Sequence, residues 1–155
     1  MFSIKYAVGF TLLLCSYFHF LNYKTYFVLN KAKENYFLSK TIQETDLQKS
    51  IIAGKEIYTD FCIQCHLSNG KGDGKNFPPL DGSNWLKDKT AETIQAIKFG
   101  QSGEIIVNKK KFNNTMPEMG LSNQEVVDVM NYIRNSWSNK NPKMITLKQV
   151  EAIKK

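Results

Sequence analysis

The sequence predicts an all-α domain built from about three to four helices, with an appendage at each end. Three observations carry this expectation. Apolar residues recur at helical spacing in three separated stretches, near residues 47–61, 90–99 and 122–137. Gly54 lies inside the first stretch, where glycine costs about 1 kcal/mol relative to alanine, so another helix is expected to approach closely there. The connections are rich in glycine, asparagine and proline, and only one short segment near 105–112 alternates as a strand would. At 155 residues the chain suits one compact domain and is too short for two of ordinary size.

Residues 1–24 read as a signal anchor or transmembrane segment. Tyr6 to Tyr23 is a run of eighteen residues without a formal charge, flanked by Lys5 and Lys24, near the lower limit for crossing a bilayer. Aromatic residues gather at its far end, as at a membrane interface. No Ala-x-Ala-like cleavage site is visible, so a retained anchor is preferred to a cleaved signal. Leu14 before Cys15 departs from the small residue that lipoprotein signals favour. His19 reads as a polar residue at the membrane rim. Residues 25–49 follow as a polar tether, in part helical.

Charge is distributed unevenly. The formal net charge is +7, yet residues 50–139 carry nine lysines and Arg134 against ten acids and are neutral. Residues 1–49 contribute +3 and residues 140–155 contribute +4. The basic stripe that nucleic-acid binding requires is missing from the middle of the chain, and no nucleic-acid partner is expected.

The helix over Leu47–Phe61 places Ile51, Ile52, Tyr58 and Phe61 on one apolar face and leads into Cys62-Ile63-Gln64-Cys65-His66. C-x-x-C-H is the attachment signature of c-type haem. Two thiols three positions apart can each form a thioether to a porphyrin vinyl group, and the adjacent imidazole can reach the iron as proximal ligand. Zinc would need a fourth donor, and the only other cysteine and histidine are Cys15 and His19 in the apolar run. A thioredoxin-type dithiol would follow a strand, whereas Cys62 follows a helical pattern. With two cysteines committed, Cys15 is left over and no disulfide framework is expected.

From about Ser50 to Trp137 the chain resembles the class I cytochromes c, small electron carriers and their membrane-tethered relatives. The resemblance implies that fold around one covalent haem c per chain. It implies that Gly54 and Tyr58, eight and four positions before Cys62, pack on Val129 and Tyr132 of the last long helix. It implies that the Pro78 carbonyl, twelve positions past His66, accepts the imidazole Nδ1–H and fixes the ring. It also implies haem attachment on the outer side of a bacterial inner membrane. The lysines that follow the apolar run suggest the opposite orientation, and the haem motif is given precedence.

The loop Leu67–Asn76 carries Gly70, Gly72 and Gly74. It reads as a flexible haem-edge loop, since no strand precedes it to make a phosphate cradle. Leu80 is expected to line the pocket. Trp85 is expected to pack on the haem or to donate its indole N–H to a propionate, with a half-buried core position as the alternative. Thr90 as N-cap and Gly100 as stop bound a helix over Thr90–Phe99. Residues 103–113 read as a short hairpin or loop whose tip, Lys109 to Lys111, is solvated. Met116-Pro117 resembles the family's distal ligand loop, with Met116 as the sixth ligand; Met119 is the competitor and reads as a gap-filling methionine. Ser122 and Glu125 form a capping box for a helix carrying Val126, Val129, Met130, Ile133 and Trp137 on one stripe. Pro142 ends the segment, and Thr146 caps a short helix, Leu147–Ile153, in the extension 140–155.

With His66 and Met116 both bound to iron, the expected function is one-electron transfer through the haem edge between redox partner proteins of the respiratory chain. No small-molecule substrate, catalytic acid or catalytic base is implied. The expected location is the periplasmic face of the inner membrane, or the periplasm itself if the signal is cleaved. A haem subunit of a larger oxidase or reductase fits the same features. A five-coordinate haem sensor or peroxidase-like enzyme is the rival, with Met116 then only structural.

Overall fold

The computed structural model describes residues 23–36 and 46–155. Most of the expected anchor and the centre of the expected tether, residues 1–22 and 37–45, lie outside the described residues. The chain divides into two compact units, Met1–Glu44 and Thr45–Lys155. In the first, helix α1 spans 23–36, and Tyr23, Tyr26, Phe27, Leu29 and Tyr36 are all exposed on it. The described first part of the expected tether is thus helical, and it carries exposed aromatic residues beside Lys31, Lys33 and Glu34. Among the described residues no helix is long and apolar enough to cross a membrane.

In the second unit, helix α2 runs from 46 to 66 and changes pitch on the way. It is α-helical over 46–57, opens into a π-helical turn at Tyr58–Cys62, and tightens again at Ile63–His66. The Ile63 N–H donates to the Tyr58 carbonyl across the wide turn. Such a turn accommodates one extra residue, so it rotates the residues that follow relative to the face carrying Gly54 and Tyr58. Leu67, at φ 62°, ends the helix.

Three further helices and a hairpin complete the frame around a cleft. Helix α3, Asn84–Asp88, was not apparent from periodicity; its signal is Ser83, whose hydroxyl caps Trp85 N–H. Helix α4, Thr90–Phe99, starts one residue earlier than Thr90 as N-cap would require. The cap position is Lys89, which makes no side-chain cap. Strands β1, Glu104–Val107, and β2, Lys110–Asn113, pair antiparallel with Val107 opposite Lys110. Asn108 and Lys109 both take positive φ, 49° and 66°, as a two-residue hairpin turn with the handedness of the sheet demands. The expected hairpin is thus a real two-stranded sheet within an otherwise helical fold.

Helix α5, Asn123–Ile133, begins with the expected Ser122–Glu125 capping box and crosses α2 at Gly54. A Cβ on Gly54 would lie 1.9 Å from the Asp128 carbonyl oxygen and 2.8 Å from Tyr132 Cβ. Asp128 and Tyr132 thus meet Gly54 at the crossing, Tyr132 also packs on Tyr58, and Val129 shares the core cluster with Tyr58 and borders the cleft. The helix also ends four residues before Trp137. Asn135 Nδ2 donates to the Asn131 carbonyl and Ser136 Oγ to that of Tyr132, so polar side chains engage carbonyls that another helical turn would have used.

Helix α6, Leu147–Ala152, opens with a second capping box, Thr146 with Gln149. The extension is built into the core: Ile145 and Val150 are 1% and 0% exposed and join the cluster formed by α2, α4 and α5. A buried polar relay fixes it there. Ser50 Oγ donates to Asp128, Asn131 Nδ2 donates to Ser50 Oγ at 2.9 Å, and Ile145 N–H donates to Asn131 Oδ1 at 2.8 Å. Each of these groups would be costly to bury without its partner.

Candidate functional site

The C-x-x-C-H residues occupy the last turns of α2 and border one cleft. His66 is 9% exposed, while Cys62 and Cys65 are half-buried free thiols. The His66 Nδ1 lies 3.0 Å from the Pro78 carbonyl oxygen. A carbonyl only accepts, so the ring proton resides on Nδ1 and the Nε2 lone pair stays available. Burial lowers the His66 pKa, and the Pro78 hydrogen bond opposes it; the imidazole is thereby kept neutral, as a metal ligand must be. Burial, and then the neighbouring Cys65, push the Cys62 thiol up to about 11.

The loop after His66 is tied down at many points. The Tyr58 hydroxyl donates to the Leu67 carbonyl at 2.7 Å and Trp137 Nε1–H to that of Ser68 at 2.9 Å. Gly70 lies against the Trp137 ring, and its carbonyl accepts from Leu80 and Asp81 N–H. Gly72 leaves room for the acceptor chain, because a Cβ there would lie 2.1 Å from the Phe77 carbonyl oxygen and 2.9 Å from that of Pro78. Asp73 Oδ1 accepts from the N–H groups of Lys75, Asn76 and Phe77. Those hydrogen bonds, Phe77 first, hold its carboxyl well below the usual range. The segment expected to be flexible is therefore laced by hydrogen bonds.

Across the cleft, Met116 is half-buried and its backbone pairs with Gln101, N–H to carbonyl at 2.9 and 2.8 Å. Cys62, Cys65, His66, Pro78, Leu80, Trp85 and Met116 all line the same cleft, and so does Met119. Leu80 lines it as expected, together with Tyr58, Ile97, Val129 and Ile133, while Ile94 is buried in the core. Trp85 is half-buried, and its indole N–H donates to the Ile106 carbonyl at 2.9 Å. Its N–H is thus engaged by β1.

The cleft is broad and open to solvent, its non-protein space of about 1110 Å³ including the solvent at its mouth. No Asp, Glu, Lys or Arg side chain lines it, so it suits an apolar macrocycle with one edge exposed. Cys62, Cys65 and His66 do not converge as a zinc site requires: among the described residues no cluster of three or more His, Cys, Asp or Glu could hold a metal ion. The donor set fits haem: two thiols on one helix, a neutral imidazole and a thioether on the facing loop.

Residues 51–137 match the family model of cytochrome c. The chain belongs to the cytochrome c family. It carries covalently bound haem c, its Cys62 and Cys65 fitting the attachment motif, and its class of activity is electron transfer. Cytochrome c-552 of Thermus thermophilus is 34% identical over 89 residues, which are 54% of this chain and 67% of that protein. The cytochrome c subunit of the quinone alcohol dehydrogenase of Gluconobacter oxydans is 29% identical over 109 residues, 66% of this chain and 22% of that protein. The oxidase subunit FixP of Bradyrhizobium diazoefficiens is 36% identical over 84 residues, 53% of this chain and 29% of that subunit. The chain thus spans about a fifth of the dehydrogenase subunit it matches.

Several functional groups left little trace in the sequence. Gln101, which bridges Met116, looks like any polar residue after a helix. Trp137 looked like the end of an apolar stripe, yet at φ 56° it lies beyond α5 and locks the loop after His66. Gly72 did carry a readable signal, since a glycine between ligand and acceptor chain implies close backbone approach.

Proposed function

We propose that His66 and Met116 are the axial ligands of a haem c held through Cys62 and Cys65, and that the domain passes single electrons between respiratory redox proteins. Bound haem supplies a one-electron iron couple in a macrocycle whose edge meets solvent. The chain's own residues then do three things. The Pro78 carbonyl holds the His66 proton on Nδ1 and orients the ring. The uncharged lining excludes water and disfavours added positive charge, raising the potential along with the thioether. The Gln101 bridge keeps Met116 at the cleft. The observation that carries this reading is that His66, bonded to Pro78, and Met116 line one uncharged cleft.

The N-terminal run, eighteen uncharged residues between Lys5 and Lys24, supports a membrane anchor, and the haem attachment motif, against the lysine distribution, supports placement at the outer face of a bacterial inner membrane. Tethering would raise the domain's effective concentration near membrane partners. A second reading, a haem subunit of a larger complex, is favoured by relatives that are named dehydrogenase and oxidase subunits. Detergent extraction followed by sizing separates the two, because a subunit co-elutes with a larger complex.

Met116→Ala tests the ligand assignment. The oxidised protein should lose its long-wavelength sulfur-to-iron charge-transfer band, its midpoint potential should fall, and reduced iron should bind carbon monoxide. Met119→Ala should leave all three nearly unchanged. If the two variants exchange these behaviours, Met119 is the ligand; if neither changes the spectrum, the iron is five-coordinate and the carrier reading fails.

A further inference from the structure

Among the described residues the long-range backbone tie at Met116 is the one to Gln101, two residues past the end of helix α4. The end of α4 is gripped by the C-terminal extension. Lys98, in the last turn of α4, donates its ammonium to the carbonyls of Val150 and Ile153, each at 2.9 Å. Both carbonyls lie at the end of α6, that of Val150 also accepting the Ile153 N–H at 3.2 Å, and a cation there is favoured by the helix dipole and by charge-assisted hydrogen bonding. Val150 is fully buried, so the acceptor end of this grip is anchored in the core. Gly100 closes the remaining gap: a Cβ on it would lie 2.8 Å from the Met116 carbonyl oxygen. A second route runs outside. Lys155 Nζ lies 3.7 Å from Glu118, two residues past Met116, and 6.0 Å from the Phe99 ring centroid.

We propose that α6 and Lys98 form a brace for the distal loop, with Lys98 as a positioning residue that sets how readily Met116 leaves the iron. The inference rests on Met116 being the sixth ligand. An external ligand can bind such an iron only after the thioether has moved away, so its entry rate at saturating concentration reports opening of the loop. Lys98 touches neither the cleft nor the haem motif, and a purely structural lysine would leave that rate alone. The two carbonyl bonds hold the segment that bears Gln101; losing them frees the bridge, and with it Met116.

The test uses the full-length, haem-loaded protein and imidazole as probe, with stopped-flow mixing against the oxidised form. Lys98→Met keeps the apolar stem and removes the charge. It should raise the saturating entry rate about five- to tenfold, a part of what losing charge-assisted bonds allows, while the charge-transfer band persists. Lys98→Arg should restore most of the slow rate. Thr146→Ala, which loosens α6 from its other end, should raise the rate about twofold and stands in if Lys98→Met does not fold. Lys155→Ala should change it less than twofold, since an exposed ion pair contributes little. A Lys98→Met protein with a lower denaturation midpoint but an unchanged entry rate overturns the brace. So does Thr146→Ala with no change. If Met116→Ala retains the band and the slow rate, the ligand assignment and the brace fall together.

Discussion

The two sides of the cleft are mounted differently. The proximal side, 62–80, is held at several separate points: Tyr58 and Trp137 reach it from outside, and the Gly70 and Pro78 carbonyls fix backbone and ring atoms within it. The distal loop is held by the two-bond bridge at Met116 and an exposed Lys155–Glu118 ion pair, and Thr115, Pro117, Glu118 and Gly120 are exposed. Local stability follows the density of buried contacts and protected hydrogen bonds. The imidazole side therefore behaves as fixed scaffold and the thioether side as the place where exchange and tuning occur.

The largest effect should come from breaking the frame of the proximal side. Gly54→Val drives side-chain atoms into the Asp128 carbonyl, 1.9 Å from the ideal Cβ position. It should destabilise the haem-loaded protein by about 3 kcal/mol or more, read from the denaturant midpoint, or prevent maturation altogether. A variant of normal stability would mean that α2 and α5 do not cross as described.

A smaller loss is expected from Tyr58→Phe. It removes the donor to the Leu67 carbonyl while keeping the ring contacts with Tyr132 and Trp137, centroids 5.4 Å away in both cases. The cost should be about 1 to 2 kcal/mol. Hydrogen exchange should show faster opening around Leu67 to Gly70 and no change at Met116. Equal acceleration on both sides of the cleft would erase the distinction between scaffold and adjustable loop.

The smallest effect concerns pH. Asp73 titrates in the folded protein below its ordinary 3.8. A depressed carboxyl stabilises fully above the unfolded group's titration, above about pH 5, and that stabilisation is lost as pH falls through the folded value. Asp73→Ala should therefore lower stability modestly at neutral pH and not at all at the acid extreme, so the two stability–pH curves converge on acidification. Parallel curves would show that the carboxylate does not organise the loop.

Much was legible in one dimension because it depends on near neighbours along the chain. The attachment motif needs a few adjacent residues; the Ser122 box needs a hydroxyl and a carboxylate three apart; Gly54 advertised a close approach by being a poor helix former in a helix. The Pro78 acceptor and the Met116 loop were readable only through resemblance, since nothing local marks a carbonyl or a thioether as facing a histidine far away in sequence. What tertiary structure alone decided was which equivalent-looking groups are used. It turned the Trp85 indole to Ile106, stopped α5 short of Trp137, set the Asp128 carbonyl over Gly54, and drew Ile145 and Val150 into the core. Periodicity constrains which face of an element is apolar, but the partner of each hydrogen bond is settled only when separate elements pack.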